Sequence, residues 1–119
     1  MHKILLYTAF GWLTIGGFLH FVIDVLSQYL RVKRPPGGET SLYYGMNSAY
    51  ALGQVLFGLI GLWLAWRATD LLGERPVVAL SLAGAVGWLA IGFVFIEYWE
   101  PKFIAALFAV LIIAAAATA

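Results

Sequence analysis

The sequence predicts an all-α, polytopic membrane protein whose four transmembrane helices form two antiparallel hairpins. Three observations predict it. Hydrophobic residues fill 63% of the 119 positions and charged residues only 11%, too few to cover a water-soluble domain of this size. Mean hydropathy is +0.92, far above that of an ordinary soluble mixture. The apolar residues fall into four blocks, each near the roughly 20 residues a helix needs to cross a ~30 Å hydrocarbon layer. Strands are disfavoured: the blocks lack polar alternation, and backbone groups in lipid must bond within their own segment or close a barrel.

The first block runs from Ile4 to about Ser27. It imitates a secretory leader, but no small-x-small cleavage site follows it, so a retained first helix is expected. RVKRPPGGET at Arg31 to Thr40 then breaks the helix with its Pro-Pro-Gly-Gly core, and Thr40 or Ser41 is the expected cap of the next one. The second block spans Leu42 to Trp66 and ends at RATDLLGERP, whose Pro76 suits the first turn of the third helix, Val77 to Ile96. EYWEPK is so short that helices three and four, the latter Phe103 to Ala119, must form a tight hairpin, with Glu100 expected as the cap and Pro101 in the first turn. Tyr43, Tyr44, Trp63, Trp66, Tyr98 and Trp99 fall near span ends, as interfacial aromatic belts do. Residues 1–119 therefore read as a single bundle.

Loops one and three carry Arg31, Lys33, Arg34 and Lys102, against Lys3, Arg67 and Arg75 on the other side. The dense basic run of the first loop predicts that these two loops face the cytoplasm. The net charge of +1 implies no acidic partner, and no nucleic-acid signature is present. The chain has no cysteine, which removes thiolate metal sites, thiol nucleophiles and disulfide exchange.

One phrase occurs twice. GWLTIG begins at Gly11 and GWLAIG at Gly87, and twelve residues after each tryptophan stands an acid, Asp24 after Trp12 and Glu100 after Trp88. Helices one and three point the same way through the bilayer, so a duplicated hairpin related by an axis along the membrane normal would bring both acids to one side at similar depth. Helices two and four show no matching echo.

The polar inventory is lopsided. One end of the bundle is expected to hold His20, Asp24 and Gln28 from helix one, Tyr43, Tyr44 and Asn47 from helix two, and Glu97 and Glu100 after helix three. His20, Asp24 and Gln28 are spaced i, i+4, i+8 and form one stripe, which lipid would surround poorly. A carboxylic acid and an imidazole one turn apart can pass a proton, so His20 and Asp24 are the candidate acid/base pair. Asn47 and Gln54, seven apart, extend a polar wall on helix two, and Tyr43, Tyr44, Gln28, Glu97 and Glu100 complete the candidate ligand contacts. Gly45, Ala49 and Gly53 form a small-xxx-small series, the clearest helix-packing signal, read first as a seam within the chain and second as a homodimer interface.

No cofactor and no metal is predicted. A haem held by two histidines would need a membrane partner for His20, and His2 lies at the other end. His20, Asp24 and a glutamate lack defined metal-ligand spacing, and serine-hydrolase and phosphate-loop signatures are missing. The inward polar groups and the lack of a tight catalytic motif favour a small transporter or binding module for a small or lipid-like solute, proton- or cation-linked through a vestibule on the loop-one side. The alternatives are an intramembrane acid/base enzyme of isomerase or hydratase type, and an accessory subunit of a larger membrane complex.

Overall fold

The computed structural model describes all 119 residues and is wholly helical. Four helices are long and apolar enough to cross a membrane: α1 His2–Leu30, α2 Gly38–Arg67, α3 Arg75–Phe95 and α4 Glu100–Ala117. They fit an integral, multi-pass membrane protein. A 3₁₀ turn at Thr69–Gly73 joins α2 to α3. The molecule measures 49 × 25 × 19 Å, so its long axis exceeds the ~30 Å hydrocarbon layer and both ends reach the head-group region. Large apolar side chains such as Ile15, Leu52, Val86, Phe93 and Val110 point outward. In lipid that exposure carries no hydrophobic cost.

Helix ends differ from the expected caps. Gly37 precedes α2 with a φ of 155°, a conformation open to glycine, and Thr40 instead donates its hydroxyl to the Pro35 carbonyl. Trp99 is the N-cap of α4 and Glu100 its first residue, with no side-chain capping bond, because helix winding begins one residue earlier than the proline implied. Pro76 lies in the first turn of α3 as its fixed φ requires.

Contacts fix the topology. His20 meets Asn47, Thr14 meets Gly58 and Phe10 meets Gly61, so α1 and α2 pack in opposite directions. Gly92 meets Lys102, and the Trp88 ring meets Phe108, so α3 and α4 do the same. Helix α1 also packs on α4: the Trp12 indole N–H donates to the Ile104 carbonyl at 3.0 Å, and His2 Nδ1 lies 2.6 Å from the Ala115 carbonyl at the far end. Leu6, Phe10, Leu13, Phe108 and Ile112 fill the core between these helices. Helix α3 is peripheral, with 17% of its apolar stretch buried inside the protein against 44% for α1. It shares no extensive seam with α2.

Glycine places the close approaches. A Cβ at Gly17 would stand 2.8 Å from the Gln54 Cβ, one at Gly58 would strike Thr14, and one at Gly61 would enter the Phe10 ring. The expected intrachain seam at Gly45, Ala49 and Gly53 does not form: nothing lies within 4 Å of a Cβ at Gly45 or Gly53, and both residues are exposed. The α1 helix lies instead on the Gln54, Gly58 and Gly61 face, where small residues coincide with polar groups that need shelter.

The doubled phrase serves two different purposes. Trp12 packs on Phe103 and Trp88 on Phe57 and Phe108, about one turn apart along α4. Asp24 lies within α1 and is buried, whereas α3 ends at Phe95, leaving Glu100 exposed on the next helix. The two acids thus differ in setting, Asp24 sheltered in the widened turn of α1 and Glu100 exposed in the first turn of α4.

Candidate functional site

The site grows from a break in helix regularity. Over Val22–Leu26 α1 widens into a π-turn, with the Ser27 N–H bonded to the Val22 carbonyl five residues back. Val22, Ile23 and Val25 are β-branched and crowd a regular turn, and Asp24 sits at the centre of the widened one. The extra residue rotates the last turn of α1 by about 100°. Gln28 therefore leaves the stripe that regular spacing assigned to it, and its Oε1 accepts from Arg34 Nε at 3.2 Å.

His20 and Asp24 are buried at 4% and 7% exposure, with Nδ1 and Oδ2 2.8 Å apart. On the other side of the ring, His20 Nε2 lies 3.0 Å from Asn47 Oδ1. The Asn47 amide nitrogen donates to the Tyr43 carbonyl at 2.9 Å, which turns its oxygen toward the histidine. An amide oxygen only accepts, so Nε2 carries a hydrogen. One further proton then lies between Nδ1 and Oδ2, as an ion pair when on the ring and a neutral pair when on the acid. Either way the couple has no net charge, which limits the cost of burying it.

Two tyrosines connect this couple with the outside. The Tyr50 ring packs on His20 at 5.1 Å between centroids, and its hydroxyl reaches the Trp88 carbonyl of α3 at 3.5 Å. Tyr98, on the link between α3 and α4, lies near Asp24 and lines the cleft. Burial first, and then that carboxylate, push the Tyr98 hydroxyl well above the ordinary tyrosine value of 10.0, so it remains a donor.

Between α2 and α3 opens a cleft of about 1060 Å³. Its wall is mainly apolar, with Leu42, Met46, Trp88, Ile91 and Phe95, while Asn47, Tyr50 and Tyr98 supply polar groups. Helix lengths explain the opening. At ~1.5 Å per residue, the 30 residues of α2 span about 45 Å and the 21 of α3 about 31 Å, so α2 overtops its neighbour at the mouth. Toward the other end, the Trp88 ring meets Phe57 edge-on and closes the gap. A separate hollow of about 170 Å³ beyond it, lined by Ile60, Leu64, Val77 and Ser81, is almost wholly apolar.

Not all the candidate residues converge. His20, Asp24, Asn47 and Tyr43 form one connected group, and Gln28 and Glu97 line the cleft beside it. Tyr44 instead packs between the Tyr29 and Tyr43 rings, at 5.7 and 5.5 Å. Gln54 lies deeper in the bundle, 1% exposed and outside the cleft, with its Nε2 lacking a protein partner. Glu100 is exposed and does not line the cleft. Tyr50 lies three residues after Asn47, but its contact with His20 depends on how α1 and α2 pack, and no periodicity reaches Tyr98, which stands outside any helix. Arg34, part of the basic run that the sequence offered as a sidedness signal, lines the cleft.

No three histidine, aspartate or glutamate side chains gather to hold a metal ion, and both nitrogens of His20 are engaged. Comparison with protein-family models, curated proteins and solved structures returned no match.

Proposed function

We propose that the protein is an intramembrane binding module for an amphiphilic, lipid-like molecule, with His20 and Asp24 as a proton-holding pair behind the ligand. One observation carries the reading: Asn47 and Tyr50 each present one side to His20 and another to a large apolar cleft. A ligand oxygen at Asn47 would compete for the amide that fixes the histidine, so occupancy and proton position are linked. The unsealed gap between α2 and α3 gives an acyl chain lateral entry. The basic run Arg31, Lys33 and Arg34 favours the cytoplasmic leaflet for its mouth.

Binding is favoured over the other readings by what does not face the cleft. An isomerase or hydratase needs its base within reach of substrate. His20 and Asp24 do not line the cleft, and His20 Nε2 is occupied by Asn47. Carriage across the bilayer by a single chain would require a second opening, and the Phe57, Trp88 and Phe108 rings close the far end. Dimerisation through Gly45, Ala49 and Gly53 would compete for the same wall, because Ala49 lines it.

Native mass spectrometry of the micelle-solubilised protein tests this. The wild type should carry lipid, and Ala49→Trp, which places an indole in the cleft, should lose it while keeping its thermal transition. Equal lipid load in both proteins would reject the cleft as the site. The same spectra report whether the chain is a dimer.

A further inference from the structure

The mouth of the cleft carries three ionised side chains that do not neutralise one another. Arg34, Glu39 and Glu97 all line it, yet none of the three lies within salt-bridge distance of an opposite charge; the one close acid–base contact of the molecule is His20–Asp24. Arg34 is held rather than waving in solvent: its Nε donates to Gln28 and its guanidinium lies 3.5 Å from the centre of the Tyr43 ring. This leaves the terminal amino groups of the fork unbonded and aimed by two fixed contacts. A planar fork presented in this way suits the oxygens of a phosphate. Lys102 approaches Glu97 only at its backbone carbonyl, at 3.3 Å, so the carboxylate has no cation of its own.

Charge balance selects among head groups. An anionic one would satisfy Arg34 but stand beside two carboxylates, and a purely cationic one would leave the guanidinium uncompensated at an apolar wall. A zwitterion answers both. Because carboxylates favour N–H donors, a primary ammonium fits better than a quaternary one, which has none. Resting on the binding-module reading, we infer that the ligand is a phospholipid whose head group carries a phosphate and a primary ammonium, the phosphate on Arg34 and the ammonium on Glu39 and Glu97.

The test offers the delipidated protein in micelles an equimolar mixture of phosphatidylethanolamine, phosphatidylcholine and phosphatidylglycerol with identical acyl chains, and counts bound species by native mass spectrometry. Phosphatidylethanolamine should be favoured over phosphatidylglycerol by about tenfold, with phosphatidylcholine between them. Arg34→Gln should lower phosphatidylethanolamine occupancy about tenfold, and Glu39→Gln with Glu97→Gln should reverse the preference toward phosphatidylglycerol. These residues lie at the rim, away from the core, so the variants should keep the wild-type thermal transition. A wild-type preference for phosphatidylglycerol, equal binding of the choline and ethanolamine lipids, or a preference unmoved in the double variant would overturn the assignment. Soluble glycerophosphoethanolamine should not displace the lipid; displacement at comparable concentration would make the occupant a free zwitterion instead. Ala49→Trp separates the two levels: loss of every lipid together with no head-group preference in the wild type sinks the head-group assignment alone, whereas retained lipid sinks the cleft itself.

Discussion

The face of α2 that carries Ala51, Gln54, Gly58 and Gly61 is closed against α1, whereas the face that carries Leu42, Met46 and Ala49 stands open toward α3. Both faces are rich in small residues. On the first, Gly58 and Gly61 let the α1 backbone and the Phe10 ring approach where no Cβ would fit. On the second, Gly45 and Gly53 meet nothing. Small residues thus permit close packing without compelling it, and α1 selects the face on which it can also shelter His20 and Gln54. The open face remains for a guest.

Substitutions on the two faces put this contrast to the test. The largest effect is expected at Gly61→Leu, where the new side chain meets the buried Phe10 ring and overpacking should cost about 3 kcal/mol in reversible unfolding from micelles. Gly53→Leu, on the open face, should stay within about 0.5 kcal/mol of wild type or gain slightly from better helix propensity. An equal loss at both positions would mean that the open face has a partner. Next is Asn47→Leu, which removes the acceptor from a buried His20 N–H while keeping apolar bulk; a loss of about 2 kcal/mol is expected by the same measurement. An unchanged midpoint would show that His20 does not depend on the closed seam.

The smallest effect concerns the link that joins both faces at the mouth. Tyr98 holds its proton more tightly when folded than when unfolded, where its value is near 10.0. The resulting stability is complete below that value and declines as pH rises through it, because the unfolded chain then releases a proton that the folded chain retains. Alkaline unfolding followed by tyrosinate absorbance should show this decline in wild type and a flatter profile in Tyr98→Phe. With Tyr98 38% exposed, the slope is shallow. Identical profiles would show that folding does not shelter the Tyr98 hydroxyl from water.

Much of the arrangement is legible in residue order. Four apolar runs of spanning length give the helices, Pro76 and Pro101 mark first turns, and the four-residue spacing of His20 and Asp24 puts them on one face of α1. The third member of the group, Asn47, is legible only as an inward polar residue, because its contact with His20 depends on how far α1 slides along α2. The stripe of His20, Asp24 and Gln28 assumes a regular helix; the π-turn adds a residue, so Gln28 lines the cleft instead of following the other two into the seam. The doubled phrase does not carry over to the surroundings of the two acids: Asp24 is buried within α1, whereas Glu100 is the exposed first residue of α4.

Composition and hydropathy suffice for the solvent, the helix number and the polar end of the bundle, because each follows from local transfer free energy and short-range spacing. Packing between helices settles which glycine-bearing face of α2 is closed, that Tyr98 lines the cleft, and that this cleft separates α2 from α3. Those features depend on the relative register and unequal heights of separate helices, which no spacing within one segment encodes.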